Sequence, residues 1–139
     1  MSFTDDLITI LEDAGVGTFG VTIYASSKAA FPRFLPSGVK ALLSIHTTGG
    51  SGPERVQNTL KRPYRRPSAE IVARAPIYVD AEELAQVALD ALMPIRNSYI
   101  GSGQVFYREI NPLNEPHDIG LDDSGRARVA FNVMAVYRP

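Results

Sequence analysis

The stretch RARVAFNVMAVYR, near the end of the chain, constrains the fold more than any other part of the sequence. Its apolar side chains recur at every second position, at Ala127, Val129, Phe131, Val133, Ala135 and Tyr137. Successive side chains of a β-strand point to opposite faces of the sheet, so this alternation predicts a long strand with one buried face. Such a strand requires neighbouring strands and a layer that covers its apolar side.

The rest of the chain supplies both. Two stretches with apolar residues at helical spacing, SFTDDLITILEDAGVG and YVDAEELAQVALDALMPIRN, predict helices. In the second, Asp80 is predicted to cap the helix and Glu83 to complete a capping box. Three further stretches have strand character: VKALLSIHT, SAEIVARAP and GQVFYREINP. We therefore expect a two-layer α+β domain, in which two helices pack on one face of a sheet of about four antiparallel or mixed strands. The other face is expected to be solvated or to meet a partner.

Size and charge bound the function. The 139 residues are enough for one domain, and 45% hydrophobic with 21% charged residues is typical of a globular protein. The net charge of −1 gives no overall attraction to nucleic acid or membrane. The charges are nevertheless segregated, because the basic stretch 54–74 lies between an acidic start and an acidic end. Opposite patches of this kind can meet copies of the same chain head to tail.

The absence of cysteine excludes disulfides and thiol-based metal or catalytic chemistry. The first residues lack the basic region and long apolar run of a signal peptide, and no run approaches membrane-spanning length. We expect a protein that is made and works in a cytoplasm, or in something assembled there.

The glycine-rich run TTGGSGPERV raises the question of a phosphate site. A Walker loop requires G-x-x-x-x-G-K-[ST] leading directly into a helix, so that backbone N–H groups converge on phosphate. Here Pro53 follows Gly52, no Gly-Lys-Ser/Thr is present, and the third glycine of a dinucleotide fingerprint is missing. We interpret residues 49–67 as a long mobile loop.

The sequence gives little support for other metal-binding or catalytic residues. Glu115, His117 and Asp118 could assemble a metal site, but such a cluster on an acidic loop is typical of solvated charge. The adjacent Asp122 and Asp123 suit a hairpin turn better than acid–base work, and no serine lies in a nucleophile-elbow motif. The sequence predicts no catalytic residue, no cofactor and no metal, and a protein that is not an enzyme.

The basic part of the loop is the remaining candidate site. The residues predicted to contact a partner or DNA are Arg55, Lys61, Arg62, Tyr64, Arg65 and Arg66. The cations could bind a phosphate backbone while the ring stacks on a base, or they could dock on an acidic protein neighbour. The lack of overall basic charge favours the protein contact, and a solvated loop is the third alternative.

Four ordered pieces of the chain resemble the tail terminator (minor capsid or tail-completion) proteins of long-tailed bacteriophages and prophages. They are the acidic helix followed by GTFGVTIYASS, a strand running into TTGGSGPE, RPSAEIVARAPIYVDAEELAQVALDAL, and the final DIGLDDSGRARVAFNVMAVYRP. The third piece is the most specific, and together the four cover nearly all of the chain. The loop after the double glycine is long, and RPYRRP is more basic than this resemblance leads us to expect.

The resemblance implies a virion protein of the head-proximal tail end, assembled in the host cytoplasm. Such a protein forms a ring, usually hexameric, which halts polymerisation of the tail tube and presents a surface to the head-completion protein. DNA passes through the lumen, no membrane is involved, and no catalytic residue is carried over. The whole chain, 1–139, is then a single tail-terminator-like domain. A head–tail adaptor or stopper is the closest alternative, and a small ligand- or nucleotide-binding α+β domain is the alternative from another class.

Overall fold

The computed structural model describes residues 3–25, 41–50, 64–101, 105–123 and 125–138. Within them the chain forms two helices and seven strands of one mixed sheet. The elements are α1 (Phe3–Asp13), β1 (Ile23–Ala25), β2 (Leu42–Thr47), β3 (Ser68–Ala75), α2 (Tyr78–Leu92), β4 (Arg96–Ile100), β5 (Val105–Pro112), β6 (His117–Leu121) and β7 (Ala127–Arg138).

The predicted long strand, β7, organises the sheet. The strand order is β1-β2-β3-β7-β5-β4, and β6 lies beside the first part of β7. On one side β7 pairs antiparallel with β3, and on the other it pairs first with β6 and then with β5. Val129, Phe131, Val133 and Ala135 are fully buried, so the predicted buried face of β7 is confirmed.

Both helices cover one face of the sheet, as expected, and this side is called the helix face. Buried residues of α1 and α2 form one core with alternate residues of β1, β2, β3, β5 and β7. The fold is the predicted α+β arrangement, but the strand count of about four is too low. The strands beyond the predicted four are β1, in the extended stretch GTFGVTIYASS, and β4 and β6; all three are short, and β4 and β6 are largely exposed. A strand that buries neither face carries no alternating pattern to reveal it.

The start of α2 also differs from the prediction. The N-cap residue is Ile77, no side chain caps the helix, and Asp80 lies within the first turn. Only two residues separate β3 from α2, so the helix begins as soon as the chain leaves the sheet. The predicted Asp80 cap is therefore wrong, although Asp80 still places a negative charge in the first turn, where the helix dipole favours it.

The helix face contains one buried polar pair. Asp6 of α1 is 2% exposed, and its Oδ2 accepts a hydrogen bond of 2.7 Å from the hydroxyl of Tyr107, which is itself fully buried. The Tyr107 ring stacks on Tyr137 and Phe3, with ring centroids 5.2 and 6.3 Å away. The pair joins α1 to β5 across the core.

The double glycine marks a close backbone crossing. Gly50 has φ +69°, and a Cβ on it would meet the carbonyl oxygen of Arg66 and lie 2.7 Å from the backbone nitrogen of Ser68. Next to it, the Thr48 backbone N–H donates to the Ser68 carbonyl at 3.0 Å. Only glycine fits this conformation and this approach together. The crossing gives the glycine run a structural role that needs no ligand.

The last residues of the predicted loop are paired with β7. The Arg65 backbone N–H donates to the Tyr137 carbonyl at 2.7 Å, and Tyr137 returns a bond of 3.0 Å. The Ala135 N–H donates to the Pro67 carbonyl at 2.9 Å. Tyr64–Pro67 thus lead directly into β3, while 51–63, the greater part of the predicted loop, lie outside the described residues.

Replacing Gly50 by Ala tests this crossing. We expect the free energy of unfolding to fall by about 3 kcal/mol, because a methyl group adds a backbone clash to the cost of positive φ. Gly49→Ala is the matched control, since Gly49 also has positive φ but an added Cβ meets nothing within 4 Å. We expect it to lose only about 1 kcal/mol. Equal losses in urea-melting experiments would contradict the steric role of Gly50.

Candidate functional site

The structure describes three of the six predicted contact residues. Tyr64, Arg65 and Arg66 lie in the segment paired with β7, whereas Arg55, Lys61 and Arg62 lie outside the described residues. Arg65 is opposite Tyr137, whose side chain packs on the core, so the Arg65 side chain lies on the helix-face side. Its neighbour Tyr64 consequently points to the other side of the sheet, here called the second face.

On the second face, Tyr64 belongs to a group that we call the basic-aromatic surface: Tyr64, Tyr99, Phe106 and Arg138. The Arg138 guanidinium carbon is 6.0 Å from the ring centroid of Tyr64 and 6.0 Å from that of Phe106. Tyr99 packs edge-on against Phe106 with centroids 5.3 Å apart, and its side chain is 63% exposed. These distances are at the outer limit of a cation–π contact.

Sequence reasoning found Tyr64 but missed the other three members. Arg138 and Phe106 share a face because they are directly paired in the β7–β5 register, and Tyr99 is paired with Phe106 across β4 and β5. One signal was available, since Phe106 precedes the buried Tyr107 and must therefore point away from the core. The partners of Phe106 could not be read without the register.

Negatively charged side chains lie at the start of α2 and on β6, in contrast to the positive charge of the basic-aromatic surface. The pKa of the Tyr78 hydroxyl is raised by partial burial and by the nearby carboxylates of Glu82 and Asp118. Asp118 is paired with Val129, a core residue under the helices, so it lies on the helix face. Leu121, on the same strand, is 67% exposed. We call Tyr78, Glu82, Asp118 and Leu121 the acidic surface.

The centre of the second face is not solvated, which narrows where a partner can contact it. Leu42, Ser44, Val72 and Ala130 are each at most 2% exposed. The second face was expected to be solvated or to meet a partner, and its centre is instead already covered in this structure. The exposed residues of this face include Tyr99 of the basic-aromatic surface on β4 and His117 on β6, which is paired with Ala130.

A buried ion cluster closes the β6–β7 hairpin at the second face. Asp122 Oδ2 accepts from Arg126 Nε at 2.9 Å and is 3.5 Å from Arg74 Nη1, while Oδ1 accepts from the Arg126 backbone N–H at 2.9 Å. The side chains of Asp122, Arg126 and Arg74 are only 7%, 10% and 20% exposed. The predicted hairpin role of Asp122 is confirmed, because its carboxylate fixes the turn.

The two histidines are held by local hydrogen bonds. His46 is half-buried, with Nε2 3.0 Å from Ser44 Oγ, and burial together with Arg74 lowers the pKa of its imidazole. His117 Nδ1 lies 3.0 Å from the Glu115 carbonyl oxygen, and Asp118 accepts from the Gly120 N–H. Within the described ranges, no group of three or more His, Asp or Glu side chains is placed to hold a metal ion, and no helix is long and apolar enough to cross a membrane.

Charged and aromatic surfaces on an α+β scaffold are typical of proteins that contact other macromolecules. The sequence matches the family described as bacteriophage tail terminator protein over residues 10–138. The chain belongs to that family and is a structural protein of phage-type virion tails.

Solved structures agree with this fold. One is a chain of the virion of a native gene transfer agent particle, with a TM-score of 0.62 at 12% sequence identity, covering 99% of this chain and 96% of that one. A second has a TM-score of 0.54 at 16% identity, covering 99% of this chain and 98% of its own. No curated protein matches the sequence.

Proposed function

We propose that this protein forms a ring, most simply a hexamer, that caps the head-proximal end of the phage tail tube. The ring stops tube polymerisation and provides the docking surface for the head-completion protein, while DNA passes through its lumen without sequence-specific contacts. The observation that carries this proposal is the family match, which extends over residues 10–138. The likeness to a chain of a gene transfer agent virion supports it, since that particle is itself a virion.

The two charged surfaces fit a protein that acts by contact. A closing ring needs two different surfaces on each subunit, one for each neighbour. The basic-aromatic surface and the acidic surface lie on opposite faces of the sheet and differ in charge. The basic segment with Arg65 and Arg66, together with Arg55, Lys61 and Arg62, is proposed to contact the tube, the head-completion protein or the passing DNA.

Electron microscopy of particles lacking this protein tests the function. A terminator is required to stop tube growth, so we expect tails of irregular and excessive length that carry no heads. A plasmid-borne copy of the wild-type chain should restore a uniform tail length, which controls for effects on neighbouring genes. Tails of normal length that are merely detached from heads would contradict the proposal and indicate an adaptor or stopper.

A further inference from the structure

Resting on the proposed function, we infer that the basic-aromatic surface of one copy binds the acidic surface of a second copy, head to tail. The two surfaces are therefore the two halves of one subunit contact. Each combines apolar or aromatic side chains with a charged group: the exposed Tyr99 and the half-buried Phe106 accompany Arg138, and the exposed Tyr78 and Leu121 accompany Asp118.

The positions of the surfaces determine the geometry of the contact. Asp118 pairs with Val129 in the first half of β7 and lies on the helix face. Arg138 is at the last residue of the same strand, and its guanidinium lies on the second face with Phe106. Nine residues of strand separate Val129 from Arg138, which is about 30 Å. Surfaces this far apart on opposite faces cannot meet each other within one copy, and a contact between them is heterologous.

The chemistry of each surface suits the other. The Arg138 guanidinium lies near two rings, and these contacts reduce the freedom that it loses when a carboxylate binds to it. Aromatic residues and arginine are the side chains most enriched at the centres of protein interfaces. On the other surface, Asp118 lies on the helix face through its pairing with Val129, and the carboxylates of Glu82 and Asp118 are near enough to Tyr78 to raise the pKa of its hydroxyl. We expect the pair to attract strongly at low salt and to set the orientation of the two copies.

Charge balance favours a second copy over nucleic acid as the occupant. The chain has a net charge of −1, so a polyanion gains no general attraction from the molecule as a whole. Glu109 lies on the same face as the basic-aromatic surface, since it is paired with Val136 of β7 and with Arg96 of β4, and it adds a negative charge there. A nucleic-acid groove instead lines up several cations along a backbone.

Charge reversal of the purified full chain tests the contact by sedimentation, without tube protein. Wild-type protein is expected to self-associate as its concentration rises to roughly 100 μM in about 50 mM salt, and to dissociate as salt rises tenfold. Arg138→Glu and Asp118→Arg should each weaken self-association by at least roughly tenfold. Asp90→Arg is the control, because Asp90 is exposed on α2 about 12 Å along the axis from Glu82 and should leave association unchanged.

Mixing the two reversed variants gives the sharpest result. Arg138→Glu retains a native acidic surface and Asp118→Arg retains a native basic-aromatic surface, so the two variants can bind each other through a native contact at one end and a contact of swapped charges at the other. The mixture should therefore regain the larger species that neither variant forms alone. The double variant on one chain should regain the larger species, which also shows that the single variants are folded. A wild-type chain that stays monomeric in these conditions overturns the inference. So does a mixture that behaves as its separate components.

Two further outcomes separate this inference from its rivals. Labelled single-stranded and duplex DNA are titrated into the same proteins at the same salt. DNA binding that Arg138→Glu abolishes, with self-association intact, overturns the contact between copies in favour of nucleic acid. Tails of normal length in particles lacking the protein would refute the terminator role but would leave the sedimentation result unaffected, so the two failures are distinguishable.

Discussion

Asp122→Asn is expected to lower the free energy of unfolding by about 3–5 kcal/mol, the loss typical of removing one partner from a buried ion pair. The substitution keeps an oxygen for the Arg126 backbone N–H but removes the charge between two guanidiniums that are 10% and 20% exposed. Burial already lowers the pKa of Arg74, so its positive charge is poorly solvated before the carboxylate is lost. Urea unfolding monitored by circular dichroism measures the change.

The neighbouring residue supplies the control. Asp123 is exposed, so Asp123→Asn should change stability by no more than about 0.5 kcal/mol. If the two substitutions have similar effects, the hairpin does not depend on the buried cluster. If Asp122→Asn alone causes a large loss of stability, we also expect it to disturb the acidic surface, because the same hairpin contains β6.

Tyr107→Phe is the second change with a large expected effect, about 2–3 kcal/mol at neutral pH. It leaves the buried carboxylate of Asp6 without the hydrogen bond from the Tyr107 hydroxyl, and an unsatisfied charged group costs more than a neutral one. Tyr137→Phe is the matched control in the same stack of rings, since the Tyr137 hydroxyl makes no hydrogen bond within the described part of the chain. It should cost less than about 0.5 kcal/mol.

The pH dependence of this loss gives a second readout. Burial raises the pKa of Asp6 above its usual value of 3.8, and the hydrogen bond from Tyr107 opposes the rise. Folding therefore takes up a proton here: the contribution of Asp6 to stability is complete below pH 3.8 and is lost as pH rises through the folded-state pKa. Because Tyr107 stabilises the charged form, the cost of Tyr107→Phe should grow as pH rises. In an Asp6→Asn background that growth should disappear, and its persistence would assign the effect to other groups.

The sequence predicted those elements whose burial follows a period. β7 and α2 each bury one regular set of side chains, and both were found, although α2 begins earlier than its polar residues indicated. β6 was missed because His117, Asp118, Gly120 and Leu121 are all exposed. It is a strand because β5 occupies only the later part of β7, and the first part offers its backbone to β6. Its existence depends on a neighbour rather than on its own pattern.

The candidate site also depends on how neighbouring strands are paired, which explains why the sequence revealed only part of it. Tyr64 stands out in the sequence because it lies among cations. Arg138 and Phe106 look ordinary, and their contact requires the β5–β7 register, which shifts between Tyr107 and Glu109. An irregularity of one residue decides which side chains share a face, and no local pattern shows it.

The crossing at Gly50 has a consequence for variation among related chains. The backbones of Thr48 and Ser68 are joined by a hydrogen bond, and Gly50 lies against the carbonyl of Arg66. These contacts hold together the two ends of the chain segment between Gly50 and Arg66. The entropy of closing a segment whose ends are already fixed changes only slowly with its length. Insertions, deletions or a peptide tag between these two ends should therefore be accommodated with little loss of stability, and the length of this stretch can differ among related chains while the sheet stays the same.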